Sequence, residues 1–189
     1  MLQFRIQGTP NPNARKYVLN KELKAHGKVS YKTEDDCAHV PLGVALLHIH
    51  GVSQIHFFEN VLTLTQDGSQ DWMSLDAKIQ ETVAKHIDLH DIYFEDFSKQ
   101  KAGEKKGRGS PNWTEELEKI DQILDEMIRP SLQFDGGDIE LIEFSDKILT
   151  LRYMGACGGC PSSMSGTLEA IKGIVRDELH DESIEVVAI

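Results

Sequence analysis

The chain has 189 residues, of which 40% are hydrophobic and 27% charged, and its formal net charge at pH 7 is −11. This length allows one or two domains, and the composition is that of a globular protein rather than a disordered or fibrous one. The longest apolar runs, such as Val44 to Leu47, are far shorter than the ~20 residues that span a bilayer. The N-terminus has neither a signal-peptide core nor a transit-peptide pattern, so we expect no membrane partner and a cytoplasmic protein. The mature form of a mitochondrial protein is the alternative.

The charge is distributed unevenly along the chain. Residues 113–189 contain 6 Lys and Arg against 17 Asp and Glu, so this segment alone carries −11. Such a segment repels phosphate backbones, and we therefore expect no nucleic-acid partner. The basic stretch 99–108 has the composition of a linker, because it combines charge and glycine without large apolar residues. The sequence thus predicts an α/β (α+β) protein with two small domains, residues 1–97 and 113–189, joined by a flexible basic linker over 98–112.

Alternating apolar residues in the first domain predict strands around Phe4, Tyr17 and Val29. A short helix is expected from Pro41, and the apolar face assigned to it consists of Val40, Val44 and Leu47.

A hairpin is predicted over 52–65, with its turn at Glu59-Asn60. It is followed by an amphipathic helix from Trp72 to Ile87 and by a last short strand over 92–97. We expect these elements to form a small mixed sheet with two helices.

The second domain is predicted to have the order α-β-β-α-β with a three-stranded mixed sheet. Asn112 is the expected N-cap of a first helix whose apolar residues run from Trp113 to Met127 and Ile128, and Pro130 must end or kink that helix. A turn over 135–138 leads into a hairpin formed by 139–144 and 148–153. A second helix, with apolar residues from Met164 to Leu179, and a strand over 184–189 complete the domain.

The segment 155–163, with the sequence GACGGCPSS, carries the chemistry. Two cysteines separated by two residues can direct both sulfur atoms at one metal centre, and the glycines permit close approach of the backbone. Ser162 or Ser163 is the expected N-cap of the following helix, which places Cys160 at the positive end of the helix dipole. That position favours an ionised thiolate.

An iron–sulfur site, a zinc-bridged interaction module and a dithiol oxidoreductase all remain open at this point. The dithiol is the weaker interpretation, because thioredoxin-like motifs belong to a larger fold built on a leading βαβ unit. Cubane clusters and all-cysteine zinc sites need four thiolates, whereas Cys37, the third cysteine, lies in the other domain with no partner at a useful spacing. A two-fold symmetric dimer would supply two cysteines from each chain, so we expect an intermolecular site.

The segment 128–138 (IRPSLQFDGGD), the cysteine segment 155–163 and Thr167-Leu168 closely resemble the C-terminal domain of the NifU-like (Nfu) iron–sulfur proteins. The first domain resembles the N-terminal domain of that family in TPNPN at 9–13, Pro41-Leu42, Gly51-Val52 and Trp72. The resemblance implies a scaffold or carrier, not an enzyme, that holds a labile 4Fe–4S cluster between two subunits through Cys157 and Cys160. It also implies a homodimer with one cluster, upstream assembly proteins, and apo iron–sulfur clients that receive the cluster.

Other polar groups are not predicted to carry chemistry. His48, His50 and His56 lack a metal-binding helical spacing, and Asp135 and Asp138 flank a double glycine, as is usual in turns. We predict no catalytic residue. Because the first domain has no cysteine pair, our hypothesis is that it recognises clients or donors.

Overall fold

The computed structural model describes residues 1–95, 113–158, 160 and 166–189. These residues form two domains of mixed α and β structure, as predicted. The linker predicted over 98–112 lies outside the described residues. Each domain has its own apolar core, and the two cores share no residue.

The N-terminal domain is built on a five-stranded sheet. Its elements are β1 (Phe4–Gly8), β2 (Ala14–Leu19), β3 (Lys24–Tyr31), α1 (Pro41–Leu47), β4 (Val52–Glu59), β5 (Val61–Gln66) and α2 (Trp72–His86). The strand order is β1-β2-β5-β4-β3, and every pair is antiparallel. The prediction of a mixed sheet was therefore wrong for this domain, because the connection through α1 returns the chain beside β3 in the opposite direction instead of making a parallel crossover.

The two faces of this sheet differ in character, because successive side chains of a strand point to opposite sides. One face carries the apolar core under α1 and α2, with Tyr17, Val29, Ile55 and Leu62 among its members. The alternate positions on β2 to β5 include a group of polar side chains, which we call the polar sheet face: Lys16, Lys28, Ser30, Gln54, His56 and Thr63.

Two details of this domain correct the sequence prediction. In α1 the buried leucines are Leu42 and Leu46, four residues apart, whereas Val44 and Leu47 are only partly buried and the buried Val40 is the N-cap. Residues 92–95 form no strand, and the remainder of the strand predicted to Phe97 lies outside the described residues.

The segment 92–95 crosses the start of β3 instead of pairing along it. The backbone oxygen of Ile92 accepts from the Ala25 N–H, and that of Phe94 accepts from the buried Lys24 Nζ. The Phe94 ring completes the core, which explains the apolar pattern that had predicted a strand.

The C-terminal domain contains α3 (Glu115–Ile123), a π-helical segment (Leu124–Ile128), α4 (Arg129–Phe134), β6 (Gly137–Ser145), β7 (Ile148–Gly155), α5 (Leu168–Leu179) and β8 (Glu185–Ala188). β6 and β7 pair antiparallel and β7 and β8 pair parallel. The predicted three-stranded mixed sheet is thus confirmed.

The first helix of this domain differs from the prediction at its start and its end. Its N-cap is Thr114, whose hydroxyl accepts from the Leu117 N–H at 3.2 Å, while Asn112 lies outside the described residues. Met127 is 47% exposed and is not a core residue. Pro130 falls in the first turn of α4, after the π-helical segment, so it interrupts the helix without ending it.

None of the described helices combines the length and hydrophobicity needed to cross a membrane.

Candidate metal centre

The end of β7 positions the first cysteine. After Gly155 the chain turns sharply: the Cys157 N–H donates to the Met154 oxygen at 3.3 Å and the Cys160 N–H to the Cys157 oxygen at 3.3 Å. Gly155 has a φ of 58°, and a Cβ at this position would lie 2.6 Å from the Gly136 oxygen. Both observations require glycine here. The turn therefore brings the two cysteines back toward each other at one end of the sheet.

The double glycine of the segment 135–138 belongs to the same site. Its sequence pattern predicts a turn and does not by itself connect it with the cysteines. Gly137 pairs with Gly155 across β6 and β7, and a Cβ on Gly137 would overlap Cys157 Sγ. Gly136 has a φ of 79°, which accounts for the first glycine. The signal was present in the sequence as two glycine-containing segments that flank a predicted hairpin and must meet when it closes.

Cys157 and Cys160 are only 4% and 2% exposed, and neither forms a disulfide. Cys157 packs into the core of the C-terminal domain beside Tyr153. Burial and the neighbouring Cys157 raise the pKa of Tyr153 to about 12, so its phenol is neutral at physiological pH. The residues expected to cap the following helix, Ser162 and Ser163, and Met164 lie outside the described residues.

The turn around Cys157 contacts the polar sheet face of the N-terminal domain. Asn11 Nδ2 donates to the Ala156 oxygen at 2.9 Å, and Gln54 Nε2 donates to the Gly155 oxygen at 3.0 Å. The Gly155 N–H donates to Ser30 Oγ at 3.3 Å. Side chains of the first domain thus bind the backbone immediately before the first cysteine.

Asp138 forms a buried ionic link between the domains. Its carboxylate is fully buried, pairs with Lys28 Nζ and accepts from Gln133 Nε2 at 2.9 Å, while Arg129 Nε lies 3.8 Å away. Burial lowers the pKa of Lys28, and the facing carboxylate opposes this effect. Asp138 therefore lies in β6 as a structural acceptor, and its interpretation as a turn residue was wrong.

The three candidate histidines have separate environments. His48 and His50 are exposed, His48 beside Glu34. His56 is 2% exposed on the polar sheet face, where its Nδ1 lies 2.8 Å from Ser30 Oγ. Burial lowers the pKa of His56 to about 4, so the ring is neutral at pH 7. Within the described residues no three His, Cys, Asp or Glu side chains are grouped in a way that could hold a metal ion.

Cys37 lies in the other core. It ends a 3-10 helix (Glu34–Cys37), is fully buried, and its Sγ donates to the Thr33 oxygen at 3.6 Å. Burial raises the pKa of Cys37 to about 11, which keeps it protonated. The structure thus brings Cys157 and Cys160 together on one turn and places Cys37 in the apolar core of the N-terminal domain.

Comparison with known proteins identifies both domains. Residues 4–90 match the family model described as "Scaffold protein Nfu/NifU N terminal", and residues 120–187 match the NifU-like domain. Among curated relatives, the "NFU1 iron-sulfur cluster scaffold homolog, mitochondrial" of Homo sapiens is 29% identical over 92% of this chain and 66% of its own length. "NifU-like protein 4, mitochondrial" of Arabidopsis thaliana is 31% identical over 94% of this chain and 62% of its own length.

This chain therefore spans less than two thirds of the length of these relatives. Among solved structures, a NifU-like protein from Saccharomyces cerevisiae matches with a TM-score of 0.45 and 21% identity, covering 50% of this chain and 87% of that one. The two family models cover most of the sequence between them. The chain belongs to the NifU-like (Nfu) family and contains both of its domains.

Proposed function

We propose that this protein is an iron–sulfur cluster carrier that holds a 4Fe–4S cluster between two copies of the chain, through Cys157 and Cys160 of each. The observation that carries this proposal is the size of the donor set. Two cysteines share one turn, and the described residues place no third metal-binding side chain with them. One chain thus supplies half of a four-thiolate site.

The donor chemistry supports a cluster of this kind. Thiolates are the usual ligands of cubane iron–sulfur clusters, and four are needed. Two copies related by a two-fold axis supply four sulfur atoms from two identical turns, with the cluster on the axis. The same four sulfur atoms would also suit zinc, so a zinc-bridged dimer is the second candidate.

The cluster is cargo in this proposal, and the protein carries out no reaction of its own on it. A site divided between two subunits comes apart when the subunits separate, which suits delivery to apo iron–sulfur proteins. Upstream assembly proteins would supply the cluster. The relatives are named as mitochondrial, and this favours a mitochondrial location over the cytoplasmic one expected from the sequence.

Anaerobic reconstitution with iron and sulfide, followed by absorption spectroscopy and metal analysis, tests the proposal. We expect a broad band near ~400 nm, typical of cubane clusters, and iron and sulfide in equal amounts. A matched sample incubated with zinc alone serves as the control. Protein that stays colourless with iron and sulfide, but binds one zinc per two chains, would replace the carrier by the zinc-bridged module.

A further inference from the structure

The polar sheet face is buried, which is unexpected for polar side chains that point away from their own core. Gln54 is 5% exposed and His56 is 2% exposed, and Thr63 is buried as well. Polar groups lose their hydration when they are buried, so such a face requires a partner that replaces the lost hydrogen bonds. The partner in this structure is the cysteine turn of the same chain, residues 155–158, together with the adjoining start of β6.

The contact recognises backbone groups. Besides the bonds from Asn11 and Gln54 to the turn, Lys28 Nζ donates to the Ile139 oxygen at 3.0 Å and Lys16 Nζ donates to the Phe134 oxygen. A Cβ on Gly158 would lie 3.3 Å from Gln54 Oε1. Amide donors thus bind the backbone just before Cys157, while the lysines bind carbonyl groups of α4 and β6. A side chain at position 158 would require Gln54 to shift.

The charges of the two surfaces are complementary. The C-terminal domain carries −11, and Lys16 and Lys28 are the two cations that the polar sheet face presents to it. The two apolar cores share no member, and Thr63 Oγ1 is buried here without a hydrogen-bond partner among the described residues. Contacts of this polar kind between domains can separate while each domain remains folded.

We propose that the polar sheet face is a docking surface for the cysteine turn, and that the metal-free chain holds the turn that carries Cys157 and Cys160 against its own N-terminal domain. The two thiols are 4% and 2% exposed, and the backbone of the turn that carries them is held by this contact. Sharing a cluster with a second chain therefore requires the contact to release the turn. This last step rests on the carrier function proposed above, whereas the docking itself does not. Loading and domain opening are then coupled, because the turn cannot be docked and form part of a shared site at the same time.

Alkylation of the full-length, reduced, metal-free protein tests the docking. Each cysteine is followed by peptide mass spectrometry after timed exposure to iodoacetamide. In Lys28→Glu and in the milder Gln54→Ala, we expect Cys157 and Cys160 to react about tenfold faster than in the unmodified chain, because each substitution removes a contact that holds the domains together.

Two controls make the result interpretable. Lys78→Glu makes the same charge change at an exposed site of α2 and should leave all three rates unchanged. Cys37 reports on folding, since its alkylation should stay slow wherever the N-terminal domain is intact. If Lys28→Glu also exposes Cys37, this variant disturbs the fold of the N-terminal domain, and the alkylation rates of the milder Gln54→Ala then test the docking.

Rapid alkylation of Cys157 and Cys160 in the unmodified chain, unaltered by Gln54→Ala with Cys37 still protected, would overturn the docking. This readout uses no iron, so it is independent of whether the carrier function holds. If the variants are alkylated faster but are not loaded with cluster faster, the docking stands. Its coupling to cluster loading is then wrong.

Discussion

Cys37 and Cys157 are both almost fully buried, but different parts of the molecule cover them. Cys37 sits in the apolar core of one domain, with Gly43 packed close to its Sγ and the Thr33 oxygen accepting from it. Cys157 sits on a turn at the junction of two domains, beside backbone groups that bind Asn11 and Gln54. Fractional exposure alone does not distinguish the two environments.

The difference lies in what must happen for each thiol to reach solvent. Exposing Cys37 requires the N-terminal domain to unfold, because its neighbours belong to one continuous core. Cys157 lies at the end of the C-terminal core, on a turn whose backbone is bound by the N-terminal domain. Exposing it requires the domain contact to open and this turn to shift, but not the unfolding of either domain. Burial at the domain junction is therefore compatible with Cys157 acting as a metal ligand. Burial within a single core gives Cys37 a structural role.

Serine substitutions should produce the largest effect. Cys157→Ser or Cys160→Ser removes two of four ligands, because the two-fold axis repeats the change, and a neutral hydroxyl is a poor ligand for iron where thiolate is required. We expect complete loss of the ~400 nm band and of the cluster-dependent dimer, measured by absorption and size-exclusion chromatography after reconstitution. Cys37→Ser is the control and should keep both. If Cys37→Ser abolished the cluster and Cys157→Ser did not, Cys37 would be the ligand and Cys157 the structural residue.

Gly137→Ala should have the next largest effect. The added methyl group overlaps Cys157 Sγ, so the turn must shift, at a cost of about 1–3 kcal/mol in the free energy of unfolding of the C-terminal domain. The fraction of protein that holds a cluster should also fall, because the turn that carries Cys157 has moved. Gly173→Ala lies inside α5 with open space around it and should raise helix stability by about 0.5–1 kcal/mol. Urea unfolding of both variants measures the difference, and equal behaviour would show that the cysteine turn is not tightly packed against β6.

The buried His56 predicts a pH dependence at the domain contact. Burial holds its pKa near 4 against an ordinary value of 6.5, with Asp138 opposing the shift and Lys28 adding to it. The unfolded chain therefore binds this proton first as the pH falls, so stability present above pH 6.5 is lost toward pH 4. We expect a loss of about 2 kcal/mol between pH 7.5 and 5. Denaturant unfolding at the two pH values measures it, and His56→Gln should remove most of this difference; an undiminished loss would assign it to other groups.

Cys37→Ser should have the smallest effect and a purely structural one. Placing a hydroxyl in this apolar core should destabilise the N-terminal domain by about 1–2 kcal/mol, because a buried polar group loses its hydration. Thermal unfolding of the metal-free protein measures the change. An unaltered melting temperature would mean that Cys37 is less tightly enclosed than the structure indicates.

Much of the fold could be predicted because its signals are local. The hairpins over 52–65 and 139–153, the helix from Trp72, and the mixed C-terminal sheet all follow from alternation, helical spacing and turn residues in short windows. The cysteine pair was also conspicuous, because a Cys-x-x-Cys spacing surrounded by glycine is a local pattern. The same reasoning failed at 92–95, where Phe94 fills a core without pairing as a strand.

The junction of the two domains could not be predicted, because it depends on residues far apart in the sequence. Gln54, His56 and Lys28 lie on the side of the sheet away from its core, a side that in an antiparallel sheet commonly faces water. Gln54 and Lys28 are covered by residues of a second domain that lie 101 and 110 positions later in the sequence. Likewise, the need for glycine at 137 becomes visible only when β6 and β7 pair and bring Cys157 Sγ against it.

The number of chains that share one cluster is the decisive quantity for a site divided between two subunits. Native mass spectrometry of the anaerobically reconstituted protein measures it without substitutions, and the metal-free protein at the same concentration gives the reference. We expect a dimer with a single 4Fe–4S cluster and, in the metal-free sample, a monomer or a concentration-dependent mixture, because a ligand shared by two chains favours their association. A complete 4Fe–4S cluster bound to a monomer would contradict the shared site.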